Sequence, residues 1–293
     1  MYADSDALWR DENDHWGIEG SRLMLRGPAC DPGRPFVAVL GGSETFGKFV
    51  EHPYPALLAE RIGMPVANLG VMHAGASLFS KERWLLDIAS DAHLTVIQVM
   101  GVQNMSNRLY YVHPRRNDRF LASSTALRAI YPEVDFAEIN FTGHLLETLE
   151  RTSEERFSII VEELRWAWVR RMQRIVSCIR GDVHLLWISE RSPQDCAETT
   201  SSREPMFVTR AMLDELAPAI SGVTEVAYEL GGPADPELHE TVANALANSV
   251  LPILAGKKGP DPKVEAGSFG ELLSDQSFST SSGTAWNRSA TRP

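Results

Sequence analysis

Apolar residues along this chain fall into short runs that alternate with helix-spaced stripes. Residues 36–40 read Phe-Val-Ala-Val-Leu and stop at Gly41-Gly42, the pattern of a strand buried on both faces. Similar runs occupy 66–69, 94–99, 183–188 and 223–227. Between them, 54–62, 78–89, 157–179, 205–220 and 238–254 carry apolar residues at helical spacing. Five strands alternating with helices predict an α/β fold whose parallel sheet is covered on both faces. Residues 105–152 break this rhythm. They are too long for an ordinary connection and read as a functional insertion with short helices of its own. After 255 the periodicity ends, and the Ser- and Gly-rich segment 256–293 reads as a flexible tail. The expected organisation is thus an N-terminal extension (1–35) packed on one α/β domain (36–255).

Composition narrows the function classes. The net charge of −11 disfavours a general nucleic-acid partner. No run approaches 18 apolar residues, and the polar, acidic N-terminus lacks a basic stretch followed by an apolar one. Neither a membrane span nor a secretory signal is expected, and a cytoplasmic location is. Cys30, Cys178 and Cys196 are widely spaced and form no CxxC pair, so neither a disulfide framework nor a zinc site is expected. No His/Cys/carboxylate cluster has metal spacing, and neither metal nor cofactor is expected.

Open parallel sheets place their sites beyond the carboxyl ends of the strands. After the first strand comes Gly41-Gly42-Ser43-Glu44-Thr45-Phe46-Gly47. After the second comes Asn68-Leu69-Gly70-Val71-Met72-His73-Ala74-Gly75, and after the third Gly101-Val102-Gln103-Asn104. After the last comes Asp235-Pro236-Glu237-Leu238-His239. A Ser hydroxyl is a poor nucleophile until a base accepts its proton, and His is the usual base near neutral pH. Backbone N–H groups and an Asn amide suit the oxyanion formed by attack on an ester. A carboxylate beside the His would fix its tautomer.

The order Ser, Gly, Asn, His on a five-stranded α/β chain resembles the SGNH or GDSL hydrolase superfamily, over about 36–254. That resemblance implies a flavodoxin-like three-layer α/β/α sandwich and an esterase, deacylase or acyl transferase activity. It implies Ser43 as nucleophile and first oxyanion donor, His239 as base and Asp235 as its partner. Gly42 replaces the Asp of the family's first block, Gly-Asp-Ser-x-x-x-Gly. In the second block the expected amide donor falls at His73, so Gly70, His73 and Gly75 compete for that role. Asn104 matches the third block without its following Asp. Asp235 stands one residue too far from His239 for the family's Asp-x-x-His. The stretches 41–50 and 106–120 also resemble an uncharacterised family of α-proteobacterial domains, which carries over no activity.

Each of these residues has a plainer reading: Ser43 as a helix N-cap, Asn104 closing a turn, His239 on the surface near a helix start. Lys48 is followed by Phe49, so the Gly-rich turn lacks the final hydroxyl of a phosphate loop. The insertion holds Arg108, His113, Arg115, Arg116 and Arg119 among aromatic residues, and reads either as a lid for an anionic or carbohydrate substrate or as a solvated, salt-bridged loop. Two functions follow. One is a Ser-His esterase, deacylase or acyl transferase on a small ester or acylated carbohydrate, and the other is an inactive binding or assembly protein on the same fold.

Overall fold

The computed structural model describes residues 15–17, 21–29, 31, 33–195, 199–200, 204–228 and 234–256. The chain opens with an antiparallel pair, β1 (His15–Trp16) and β2 (Leu25–Arg26). Next come β3 (Val37–Gly41), β4 (Val66–Gly70) and β5 (Leu94–Gln98) of the main sheet. A hairpin follows, β6 (Tyr110–Val112) and β7 (Phe120–Ser123), and then β8 (Asp182–Ser189) and β9 (Gly222–Ala227) complete the main sheet. That sheet is parallel throughout, in the order β4-β3-β5-β8-β9. The helices are α1 (Ser43–Phe46), α2 (Tyr54–Ile62), α3 (Ala76–Lys81), α4 (Arg83–Asp91), α5 (Thr125–Ile130), α6 (Thr142–Thr152), α7 (Glu154–Cys178), α8 (Arg210–Asp214) and α9 (Pro236–Ala255).

Every residue of β3, β4 and β5 is buried, which is why these strands are apolar runs rather than alternating ones. Successive side chains point to opposite faces. Val37, Val39, Leu94, Val96, Leu186 and Ile188 share one face and pack with Tyr54, Leu57 and Leu58 of α2 and Leu238, Val242 and Leu246 of α9. Each fully buried Val or Leu contributes about 1.5–3 kcal/mol relative to exposure. Helices α3, α4 and α7 pack together, with α4 against β3 and β5. Trp168 of α7 is fully buried and donates its indole N–H to the Met100 carbonyl at 2.8 Å, which fixes α7 to the segment after β5.

Three expectations need correction. The helix expected over 78–89 is two helices, α3 and α4, hinged at Glu82 with φ −85° and ψ 76°. Of the helix expected over 205–220, only α8 and a 3-10 turn at Ala217–Ala219 form; Pro218 within that turn lacks the N–H a longer helix needs. The insertion carries the β6–β7 hairpin beside short helical pieces. Leu23 and Leu25 are buried, and the Arg26 guanidinium donates to the carbonyls of Gly47 and Glu51. The segment expected to be a tail lies, beyond Gly256, outside the described residues.

Candidate functional site

The strand order reverses between β3 and β5, and the segments leaving both strands meet beyond their carboxyl ends. A pocket of ≈ 200 Å³ lies there, lined by Ser43, Glu44, His73, Gln98, Gly101 and Asn104, with Glu204 from the segment after β8.

Ser43 is the first residue of α1. Gly42 occupies the N-cap position and no side chain caps this helix, so the Ser43 hydroxyl is not consumed by capping. Its Oγ instead accepts a hydrogen bond from the His73 backbone N–H at 3.2 Å. As the first helical N–H, that of Ser43 has no intrahelical acceptor. The turn is held from below by Gln98 at the end of β5. Gln98 Oε1 accepts from the Gly42 N–H at 3.0 Å and from Thr45 Oγ1 at 2.6 Å, while Nε2 donates to Glu44 Oε2 at 2.9 Å. A Cβ on Gly41 would sit 1.9 Å from Thr45 Oγ1 and 2.8 Å from Gln98 Cβ, so only glycine permits this approach.

The loop after β4 sorts the three candidate amides by where their N–H groups go. The Gly70 N–H donates to Asn68 Oδ1 at 2.9 Å, and the Gly75 N–H donates to Asn117 Oδ1 at 2.9 Å. Neither is free to meet an oxyanion, which corrects the expectation for Gly70 and Gly75. His73 has φ 58°, the left-handed conformation, and this turns its N–H onto Ser43. Asn104 lines the pocket, with Oδ1 accepting from Thr142 Oγ1 at 2.7 Å. Its backbone abuts the loop so closely that a Cβ on Gly75 would lie 2.0 Å from the Asn104 carbonyl oxygen.

His239 and Asp235 are not part of this pocket. His239 is fully buried on the core face of α9, stacked on Tyr54 with ring centroids 6.0 Å apart. Its Nδ1 accepts the Tyr54 backbone N–H at 3.0 Å, which anchors the start of α2. That nitrogen is therefore unprotonated, and the ring serves the α2–α9 packing rather than Ser43. Asp235 caps α9 by accepting the Glu237 N–H at 2.9 Å, and also accepts from the Tyr228 hydroxyl at 2.6 Å. The Tyr228 and Glu237 hydrogen bonds hold its carboxyl below the usual carboxylate range. Asp235→Asn keeps an oxygen for the cap, so turnover should change within a few-fold. A triad aspartate in that position would instead cost on the order of 10⁴-fold in kcat, and steady-state kinetics of the variant separates the two.

The arginine set does not line this pocket either, and Arg108, Arg116 and Arg119 are each held within or beside the insertion. Arg108 forms a forked pair with Glu163 of α7 and lies over the Trp166 ring. Arg116 pairs with Asp118 at 3.2 Å, and Arg119 lies over Phe141 at 4.8 Å. His113 Nδ1 accepts the backbone N–H groups of Arg115 and Arg116. Among the described residues, the ionisable side chains lining the pocket are Glu44, Glu204 and His73. Glu204 is exposed as a residue, yet its carboxyl bonds to Gln103 and the Met206 N–H, and the protein crowded around it raises its pKa.

Sequence reasoning passed over Gln98, Asn117 and Asp118. Asn117 is fully buried and makes four hydrogen bonds, two to Gly75 and Leu78 N–H groups at the start of α3 and two to the carbonyls of His113 and Pro114. It joins the insertion to the loop that carries His73. Asp118 follows it, with Oδ2 3.8 Å from His73 Nδ1. A polar Gln ending a wholly buried strand was the available signal for Gln98; Asn117 and Asp118 carry no spacing signal. Among the described residues, no three His, Cys, Asp or Glu side chains could hold a metal, and no helix is long and apolar enough to cross a membrane. A larger cavity of ≈ 590 Å³ lies between the N-terminal extension and α2, but its described lining contains no Ser or Cys.

The family model described as Domain of unknown function (DUF6473) matches residues 10–250, and the chain belongs to that family. The match includes part of the N-terminal extension and the whole insertion, so both belong to the family's domain. No curated protein matches the chain.

Proposed function

We propose that this member of the DUF6473 family is a serine acyl hydrolase or acyl transferase on an SGNH-like scaffold, acting on a small neutral or cationic ester. The observation that carries this reading is the His73 N–H aimed at Ser43 Oγ in a pocket that Asn104 also lines. Ser43 attacks the acyl carbon. The amides of Ser43 and His73 and the Asn104 side chain receive the oxyanion, each such donor being worth about 100-fold or more in rate. The sheet order supports the scaffold, since 2-1-3-4-5 is the order of flavodoxin-type doubly wound sheets. A pocket of ≈ 200 Å³ suits a short acyl group. The Glu44 carboxylate at its wall opposes an anionic substrate, which replaces the anion-lid expectation drawn from the arginines.

A second reading is a non-catalytic binding protein. It is favoured by the burial of His239 away from Ser43. Turnover of short acyl esters decides between them. The hydrolase reading expects hydrolysis, faster for an ester with a cationic alcohol than for one with an anionic alcohol of equal size. No hydrolysis above the Ser43→Ala background, across acyl groups from acetyl to hexanoyl, would leave the binding reading.

A further inference from the structure

We infer that His73 is the general base of the Ser43 reaction and that Asp118 positions its ring. This inference rests on the reading of Ser43 as nucleophile and supplies the base that His239 does not provide.

Three observations converge on it. First, His73 is the histidine that shares the pocket wall with Ser43, and their contact is direct through the 3.2 Å backbone hydrogen bond. Second, its ring is oriented. Nδ1 faces Asp118 Oδ2 at 3.8 Å, an ion-pair distance that can close to a hydrogen bond when substrate fills the site. With the proton on Nδ1 held towards the carboxylate, Nε2 is left as the acceptor, and Nε2 has no hydrogen-bond partner among the described residues. Third, Asp118 is placed as a positioning carboxylate needs to be. Its residue is mostly buried, Oδ1 is buried without a hydrogen-bond partner, and Oδ2 is steadied by Arg116 at 3.2 Å. Asn117, one residue before, fastens this segment to the His73 loop.

The steps balance with an ester and water as the reactants. Ser43 Oγ forms a bond to the acyl carbon while its proton passes to His73 Nε2. The ester C–O bond then breaks, and the Nε2 proton moves to the departing alcohol oxygen. Water attacks the acyl-Ser43 carbon in turn, giving its proton to Nε2, which returns it to Ser43 Oγ as the acid leaves. Asp118 stays ionised and stabilises the imidazolium formed in each half. Among the described residues, the other ionisable groups near this site are Arg116, already held by Asp118, and Glu44 and Glu204 on the pocket wall.

The test measures kcat for a short neutral ester across pH in the full chain. His73→Asn suits the left-handed backbone and keeps the N–H on Ser43, so only the imidazole is lost. It should lower kcat by about 100-fold or more and remove the acid limb of the pH profile. In His73→Gly, added imidazole should restore part of the rate. Asp118→Asn should lower kcat and move the acid limb, and Asp118→Glu should recover part of both, whereas a merely structural Asp118 would leave that limb in place. If wild type turns over the ester through Ser43 and His73→Asn matches it, the base assignment falls while the hydrolase reading stands. If wild type turns over no ester, the hydrolase reading falls and the base assignment falls with it.

Discussion

Ser43→Ala is expected to remove ester turnover, by about 10⁴-fold or more in kcat, as when the nucleophile of a serine hydrolase is deleted. The fold should survive the change. Ser43 caps nothing, its side chain is only partly buried, and Ala is a better helix former at the first position of α1. The oxyanion donors remain, because the N–H groups of positions 43 and 73 belong to the backbone. Circular dichroism should therefore superimpose on wild type while turnover is lost. A variant that keeps a tenth of the wild-type kcat would mean that another group, or no group, attacks the ester.

Asn117→Ala should be the most damaging single change to stability near the site, at about 3 kcal/mol. The Gly75 and Leu78 N–H groups at the start of α3 would lose their buried partner, and each buried group left unsatisfied costs about 1–3 kcal/mol, while the partly buried carbonyls of His113 and Pro114 can turn to water. Gly75, the N-cap residue of α3, has no side chain to cap with, so Asn117 performs that task from a distant part of the chain. For a domain of this size, the loss corresponds to roughly 6–12 °C in Tm. Asn117→Asp keeps the acceptor half of the interaction and should lose less. Because the same bonds hold the loop bearing His73, activity should fall ahead of global unfolding as temperature rises. Thermal denaturation followed in parallel with residual turnover checks both statements, and a Tm within 2 °C or so of wild type would contradict the first.

The sheet was legible because buried parallel strands must be apolar on both faces, and β3, β4, β5 and β8 are written that way. The break between α3 and α4 was not, because Glu82 and Arg83 are ordinary helix formers, and both helices lie against α7, which is far along the chain. The β6–β7 hairpin escaped because its strands are three and four residues long and a register shift between Tyr111 and Val112 interrupts their alternation.

The site was half legible. Ser43 and Asn104 follow the two strands that flank the reversal in strand order, which is why the sequence offers them as candidates on one pocket wall. His239 misled because chain order alone matched the expected pattern. Its helical neighbours Val242, Ala243 and Leu246 at i+3, i+4 and i+7 are all buried, so position 239 belongs to the apolar stripe of α9. That stripe is visible in the sequence and outranks the motif. The arginines misled for a different reason. Their composition suggested an anion site, but whether a guanidinium is available depends on nearby carboxylates and rings, and Glu163, Asp118 and Phe141 come from other parts of the chain or the same loop. The bonds that tie Asn117 to the start of α3 and bring Asp118 to His73 cross the fold, so no local spacing marks them.

The central claim is that Ser43 is an activated nucleophile. Incubating the full chain with a fluorophosphonate and mapping the modified peptide by mass spectrometry tests this most directly. A single adduct on Ser43, absent after denaturation before labelling, is the result predicted. An unmodified Ser43, or an adduct carried by another residue, would contradict it.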